Sequence, residues 1–185
     1  MTDEELVALA QRGDTAAFDQ LVVRHQAVVY RATLAALRSP ADAEEAAQDA
    51  FVRAWTALGR FRADASFRTW LLTIAWNRAL SRRRALAVWW HRRAPLDDAG
   101  ELHSTAAGPD ATAQHRELYA RAAAAIESLS PKLRDALLLV QSGDYSYDEV
   151  ARMLAVPAGT VKWRVSEARR QVRLKLEAVG HARAR

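Results

Sequence analysis

The chain has 185 residues, with 27 lysines and arginines against 22 aspartates and glutamates, and it contains no cysteine. A formal charge of +5 and a pI near 10.1 favour a polyanionic partner, while the missing cysteines exclude a disulfide framework and any thiolate metal or redox site. The beginning, MTDEELVALAQRGD, is acidic and holds no long apolar run, so neither a signal peptide nor membrane insertion is expected and the chain reads as cytoplasmic.

Charge is unevenly distributed. Residues 1–59 carry 5 basic against 9 acidic side chains, 60–84 carry 7 against 1, 85–113 carry 2 against 4, and 114–185 carry 13 against 8. Phosphate contact is therefore expected at the two basic blocks, and a protein partner at the acidic first block.

Apolar residues recur at spacings of three and four throughout, which predicts an all-α chain. Thr2 and Glu5 form a capping box, with Leu6, Leu9 and Ala10 as the apolar stripe of a first helix that ends at Gly13. Asp14 caps a second helix, whose apolar face of Phe18, Leu21, Val22, Val28, Val29 and Tyr30 runs to about Leu37. Ser39-Pro40 breaks the chain and starts a third helix. That helix buries Ala43, Ala46, Ala47, Ala50, Phe51, Ala54 and Leu58, and Gly59 ends it. After a loop at 60–66, FRTWLLTIAWNRALSRRR packs Trp70, Leu71, Ile74 and Ala75 inward and carries Arg78, Arg82, Arg83 and Arg84 outside. Trp89-Trp90 is expected to prolong this helix and dock on the first domain, the alternative being a helix lying on a membrane surface. Residues 94–113, rich in Pro, Gly, Ser, Thr and acid, read as a flexible linker between domains at 1–93 and 114–185.

Beyond the linker, 114–129 is helical, Ser130-Pro131 starts a further helix, and a helix-turn-helix follows. Its first helix starts at Ser146, boxed with Glu149, and must stop before Pro157. Its second opens at Thr160 with the apolar set Val161, Val165, Ala168, Val172 and Leu176. The pattern by itself fits either a packing unit or a DNA reader. Catalysis has little support. His25, His91, His103, His115 and His181 are scattered without metal-ligand spacing, and no Gly-rich phosphate loop occurs, so neither an enzyme nor a cofactor or metal is expected.

Residues 143–173, GDYSYDEVARMLAVPAGTVKWRVSEARRQVR, resemble the region 4 helix-turn-helix of bacterial sigma factors, especially the extracytoplasmic-function group. Gly143, Ser146, Tyr147, Glu149, Ala151, Pro157, Gly159, Thr160, Val161, Lys162, Arg164, Ala168 and Arg169 fit the pattern; Trp163 stands where Ser is usual and Glu167 where a basic residue is common. The run from Leu6 to Trp55 is similar to sigma region 2, and FRADASFRTWLLTIAWNRALSRRR to the segment that binds and opens the minus-10 element, with Trp76 where Arg is common and Ser81 where Asp is common.

The resemblance implies two helical domains, region 2 and region 4, that bind core RNA polymerase and direct it to promoters. It implies that Asp42, Glu45, Gln48, Asp49 and Arg53 dock on the β′ clamp helices, that the β flap is a further contact, and that an anti-sigma factor is a partner. Minus-10 recognition falls to Arg60, Arg68, Trp76, Asn77, Arg78, Arg82, Arg83 and Arg84, with Phe61, Arg62, Ala63, Asp64 and Ser66 in the loop that captures flipped bases; Phe67 and Trp70 are expected in the core. Minus-35 recognition falls to Thr160, Lys162, Trp163, Arg164, Ser166, Glu167 and Arg170. Glu167 would accept from a cytosine amine, a pair worth roughly 1–3 kcal/mol, and Trp163 either contacts a thymine methyl or packs beneath the helix. The alternative is a self-standing regulator that binds operator DNA as a dimer, although region 2 resemblance speaks against it.

Overall fold

The computed structural model describes residues 1–93, 113–142 and 144–183, with side chains for 1–89, 115–142 and 144–177. All regular structure among these residues is helical, as the apolar spacing predicts. The chain divides into two compact units, Met1–Gly100 and Glu101–Arg185. Of the expected linker, only Ala113 is among the described residues; Gly143 and the side chain of Trp90 lie outside them.

In the first unit, α1 (Asp3–Ala10) starts from the Thr2 box: the Glu5 amide donates to Thr2 Oγ1 and the Thr2 amide to Glu5 Oε2. The chain leaves it through Gly13 at φ 96°, with Gly13 N–H on Ala10 O and Asp14 N–H on Leu9 O, a left-handed exit that glycine accepts without strain. Asp14 at once caps α2 (Thr15–Leu37) through Ala17 N–H. Ser39 caps α3 (Pro40–Ala57), with Pro40 in the first turn where no amide is needed. Alanines 43, 46, 47, 50 and 54 are buried, and their small side chains let α3 lie close to its neighbours. Thr33 Oγ1 donates 2.8 Å to the Ala43 carbonyl where α2 passes. A 3-10 turn at Leu58–Arg60, its Leu58 buried, carries the chain out of α3, which ends before Gly59. The long α4 (Phe67–Arg93) packs against both α2 and α3, and α1 lies on α2.

His25 is one of the few buried polar residues of this unit. Its Nε2 lies 2.7 Å from Asp3 Oδ2, and Arg24 holds the other oxygen of the same carboxylate, so one acid near the chain start ties α1 to α2.

In the second unit, α5 (Ala113–Glu127), α6 (Pro131–Gln141) and α7 (Tyr147–Met153) all pack on α8 (Ala158–Arg183). Ser146 and Glu149 make the expected reciprocal cap of α7. The turn after it is a Schellman exit: Val156 N–H reaches Ala151 O, Ala155 N–H reaches Arg152 O, and Ala155 takes φ 51°. The second helix of the helix-turn-helix opens two residues earlier than expected. Pro157 O accepts from the amides of both Thr160 and Val161, so Ala158 and Gly159 already belong to α8 and Thr160 sits at its third position. Val161, Val165 and Ala168 are buried against the rest of the unit.

Candidate polymerase and nucleic-acid interfaces

On α3, the residues opposite the buried alanines are Glu45, Gln48 and Val52, which recur at three and four and form the outermost ridge. Val52 is 65% exposed, an apolar residue on the same ridge as Glu45 and Gln48, with Trp55 exposed one turn on. Sequence reasoning passed over it because it followed the charged residues; its phase against the alanine stripe was the available signal. Asp42, Asp49 and Arg53 do not share this ridge. They lie along the flank, Asp42 and Asp49 turned toward α4.

That flank carries a ladder of ion pairs between α3 and α4. Arg82 donates to Asp42 through Nε at 2.8 Å and Nη2 at 2.6 Å, and its Nη1 lies 2.5 Å from Glu45. Arg78 grips Asp49 through Nε at 2.6 Å, and Arg53 approaches the other Asp49 oxygen at 3.6 Å. Burial by itself pushes the Asp42 carboxyl up, but hydrogen bonds from Ser39 and Arg82 and the nearby guanidinium charge outweigh it and hold the group below its ordinary value. The hydrogen bond that Arg82 donates to Glu45 leads the causes that raise the pKa of the Arg82 guanidinium. Residues expected to serve two separate partners, polymerase on one side and DNA on the other, are thus joined to each other.

The loop after the 3-10 turn is positioned by Gln11, whose Nε2 donates to Leu58 O at 3.0 Å and Phe61 O at 3.1 Å. Arg60, Arg62, Ala63 and Asp64 are exposed, and Ala63 holds a left-handed φ of 59°, which turns the backbone outward between Arg62 and Asp64. Two of the expected loop residues have other partners. Phe61 is half-buried, its ring 4.9 Å from Trp70 and edge-on to Phe67 at 6.1 Å, so it floors the loop rather than presenting itself to a base. Ser66 caps α4, accepting from the Thr69 amide at 3.2 Å.

Trp76 requires a correction. Expected on the DNA side, it is 0% exposed and lies in the core between the helices. Its Nε1 is one of two buried side-chain polar atoms without a hydrogen-bond partner among the described residues. The neighbouring Asn77 and Arg84 are exposed, and Arg68 and Arg83 are partly exposed. Ser81 Oγ donates back to Asn77 O at 2.9 Å, which satisfies it within its own helix.

On α8, Gly159, Trp163, Ser166 and Arg170 form the ridge opposite Val161, Val165 and Ala168. Lys162 lies over the Tyr147 ring, Nζ to centroid 5.9 Å, which ties the start of α8 to α7. Glu167 is engaged on its own helix. Its two oxygens receive Arg170 Nε at 2.8 Å, Arg170 Nη2 at 2.7 Å and Gln171 Nε2 at 2.7 Å. The Arg170 bond leads in lowering its carboxyl from 4.5 to about 2. Trp163 is 63% exposed, so it does not pack beneath the helix. Elsewhere on α8 an open groove of about 740 Å³ runs between α5, α6 and α8, walled by Ile126, Leu137, Val140 and Leu176, with Arg169 and Arg173 on its lining.

Residues 21–89 match Sigma-70 region 2, and residues 119–172 match Sigma-70 region 4. The chain is 34% identical over 180 residues to the RNA polymerase sigma-H factor of Pseudomonas aeruginosa, covering 92% of this chain and 91% of that one. It is 34% identical over 188 residues to the ECF RNA polymerase sigma-E factor of Escherichia coli, covering 96% and 95%. Among solved structures, CnrH in complex with the cytosolic domain of CnrY matches with a TM-score of 0.67 and 27% identity, covering 95% of this chain and 97% of that one.

Proposed function

Because the chain belongs to the extracytoplasmic-function sigma factors of bacterial RNA polymerase, we propose that residues 1–93 act as region 2 and residues 114–185 as region 4, dividing promoter recognition between them. A sigma factor binds core polymerase and directs promoter-specific initiation of transcription. Such factors are initiation factors rather than enzymes, and this chain performs no chemistry of its own and needs no cofactor. The single observation that carries the reading is likeness to sigma-E along nearly the whole chain, with the two regions in order.

On this reading, the Glu45, Gln48 and Val52 ridge of α3 docks on the β′ clamp helices, with Asp42, Asp49 and Arg53 on its margin. The exposed valine supplies the apolar contact that an interface core favours over charge. The groove between α5, α6 and α8 takes the β flap. The loop at 60–66 captures bases of the minus-10 element: Ala63 turns the backbone out, Arg62 and Asp64 supply polar groups, and Phe61, Phe67 and Trp70 form a fixed floor. Arg60, Asn77 and Arg84, with Arg68 and Arg83 beside them, face the strand that leaves the duplex.

The leading half of α8 enters the major groove at the minus-35 element, with Thr160 and the first amides toward phosphate and Lys162, Arg164 and Ser166 beside the bases. An anti-sigma factor restrains the protein; that the similar CnrH forms a complex with the cytosolic domain of CnrY supports a protein partner of this kind. Among the described residues no helix is long and apolar enough to cross a membrane, and work on polymerase places the protein in the cytoplasm.

The test is transcription from fragmented bacterial genomic DNA by purified core polymerase, with and without this protein, followed by sequencing of the transcript starts. Discrete starts that depend on the protein and share two upstream boxes are expected. Starts indifferent to the protein, together with a dimer that retards duplex DNA unaided, would replace the sigma reading with the self-standing regulator.

A further inference from the structure

We propose that Trp163 is a base-reading residue of α8 and selects a thymine in the upstream promoter box through its 5-methyl group. The proposal rests on the reading of the second unit as the minus-35 reader. Four observations support it.

The indole stands on the ridge of α8 farthest from Val161, Val165 and Ala168, so any surface that α8 approaches with its outer face meets Trp163 early. It is 63% exposed and has no ring or hydrogen-bond partner among the described residues, so folding gains little from its size. Its neighbours on the ridge, Gly159 and Ser166, are small, and a Cβ built on Gly159 meets nothing within 4 Å, which leaves the indole standing clear. Part of the hydrogen bonding around it is already engaged: Glu167 receives three donors on its own helix, and the Nε and Nη2 edge of Arg170 is spent on Glu167.

The chemistry of the groove then selects the base. An indole offers an apolar face and one N–H donor, and it accepts nothing. In the major groove thymine alone pairs an apolar group, its methyl, with an acceptor, O4. Cytosine presents only a donor there. Guanine and adenine present acceptors without a methyl. An indole entering the groove therefore matches thymine on both counts.

The experiment uses holoenzyme reconstituted from bacterial core polymerase and the full-length protein, selecting binders from a promoter library randomised across the upstream box. Wild type should show a thymine column that is lost in Trp163→Ala and kept in Trp163→Phe, while the minus-10 column is unchanged in both. Replacing that thymine with deoxyuridine, which removes the methyl and keeps O4, should weaken wild-type binding about three- to five-fold, the loss of one buried methyl, and leave Trp163→Ala unaffected. Identical box profiles for wild type and Trp163→Ala, or equal binding of deoxyuridine and thymine, would overturn the proposal. A wild-type holoenzyme that selects a minus-10 box and no upstream box would overturn the minus-35 reading along with it, a failure visible before any variant is compared.

Discussion

At the scale of single residues, Trp76 and Glu167 separate what a side chain is suited for from what it does. A tryptophan beside Asn77 in an arginine-rich segment is suited to stack on an unpaired base, yet Trp76 is wholly enclosed. Trp76→Ala is therefore expected to destabilise the first unit by about 3–5 kcal/mol, measured by chemical denaturation. A residue that only touched DNA would leave that midpoint in place and change promoter opening alone. Glu167 is suited to accept from cytosine, yet in the free protein its carboxylate is shared with Arg170 and Gln171. Its carboxyl is depressed from 4.5 to about 2, so the stabilisation it brings is complete above pH 4.5 and is lost as pH falls toward 2. NMR titration of Glu167 should give a midpoint near 2 in the wild type, moving up toward 4.5 in Arg170→Ala. A wild-type midpoint at the ordinary value would mean that the on-helix pair does not form in solution.

At the scale of helices, the ends were largely readable because caps are local. Thr2 with Glu5, Asp14, Ser39-Pro40 and Ser146 with Glu149 all act where their spacing placed them, since each bond spans three residues and needs no knowledge of the fold. The start of α8 was misplaced by two residues because Gly159 reads as a breaker, whereas an unstrained first turn accepts it. The exit from α7 was hidden for the opposite reason: Ala155 occupies a left-handed position that usually announces itself as glycine. Ala155→Gly should therefore stabilise the second unit by about 0.5–1 kcal/mol, read as a raised melting temperature, and an unchanged or lowered value would count against the strain. The α3–α4 ladder was invisible in sequence because Asp42 and Arg82 are forty positions apart, and only packing sets them face to face. A double-mutant cycle with Asp42→Ala and Arg82→Ala should return a coupling of about 1 kcal/mol that shrinks with added salt. Since the Asp42 carboxyl is lowered, that coupling is present above its unfolded value of 3.8 and disappears as pH drops below it. No coupling at neutral pH would mean the two side chains meet without stabilising the fold.

At the scale of the whole molecule, charge pattern and family order were legible together, because polyanion binding depends on sums that composition already contains. What composition could not supply was how much of that charge is spent internally. Residues 60–84 hold seven basic side chains, yet Arg78 and Arg82 are committed to carboxylates of α3, and on α8 Arg170 is committed to Glu167. The effective cationic surface is therefore smaller than the formal count, and salt dependence should reveal it. Each cation that touches phosphate contributes about 0.9 to the slope of log affinity against log salt on duplex DNA and about 0.7 on a single strand. Measured on promoter DNA with the holoenzyme, Arg60→Ala, which removes a cation facing the strand that leaves the duplex, should flatten the slope by about 0.7. Trp163→Ala should weaken binding while leaving the slope where it was, since an indole releases no counterion. A slope that Trp163→Ala changes, or that Arg60→Ala does not, would mean that phosphate contact and base reading are not divided between these two residues in this way.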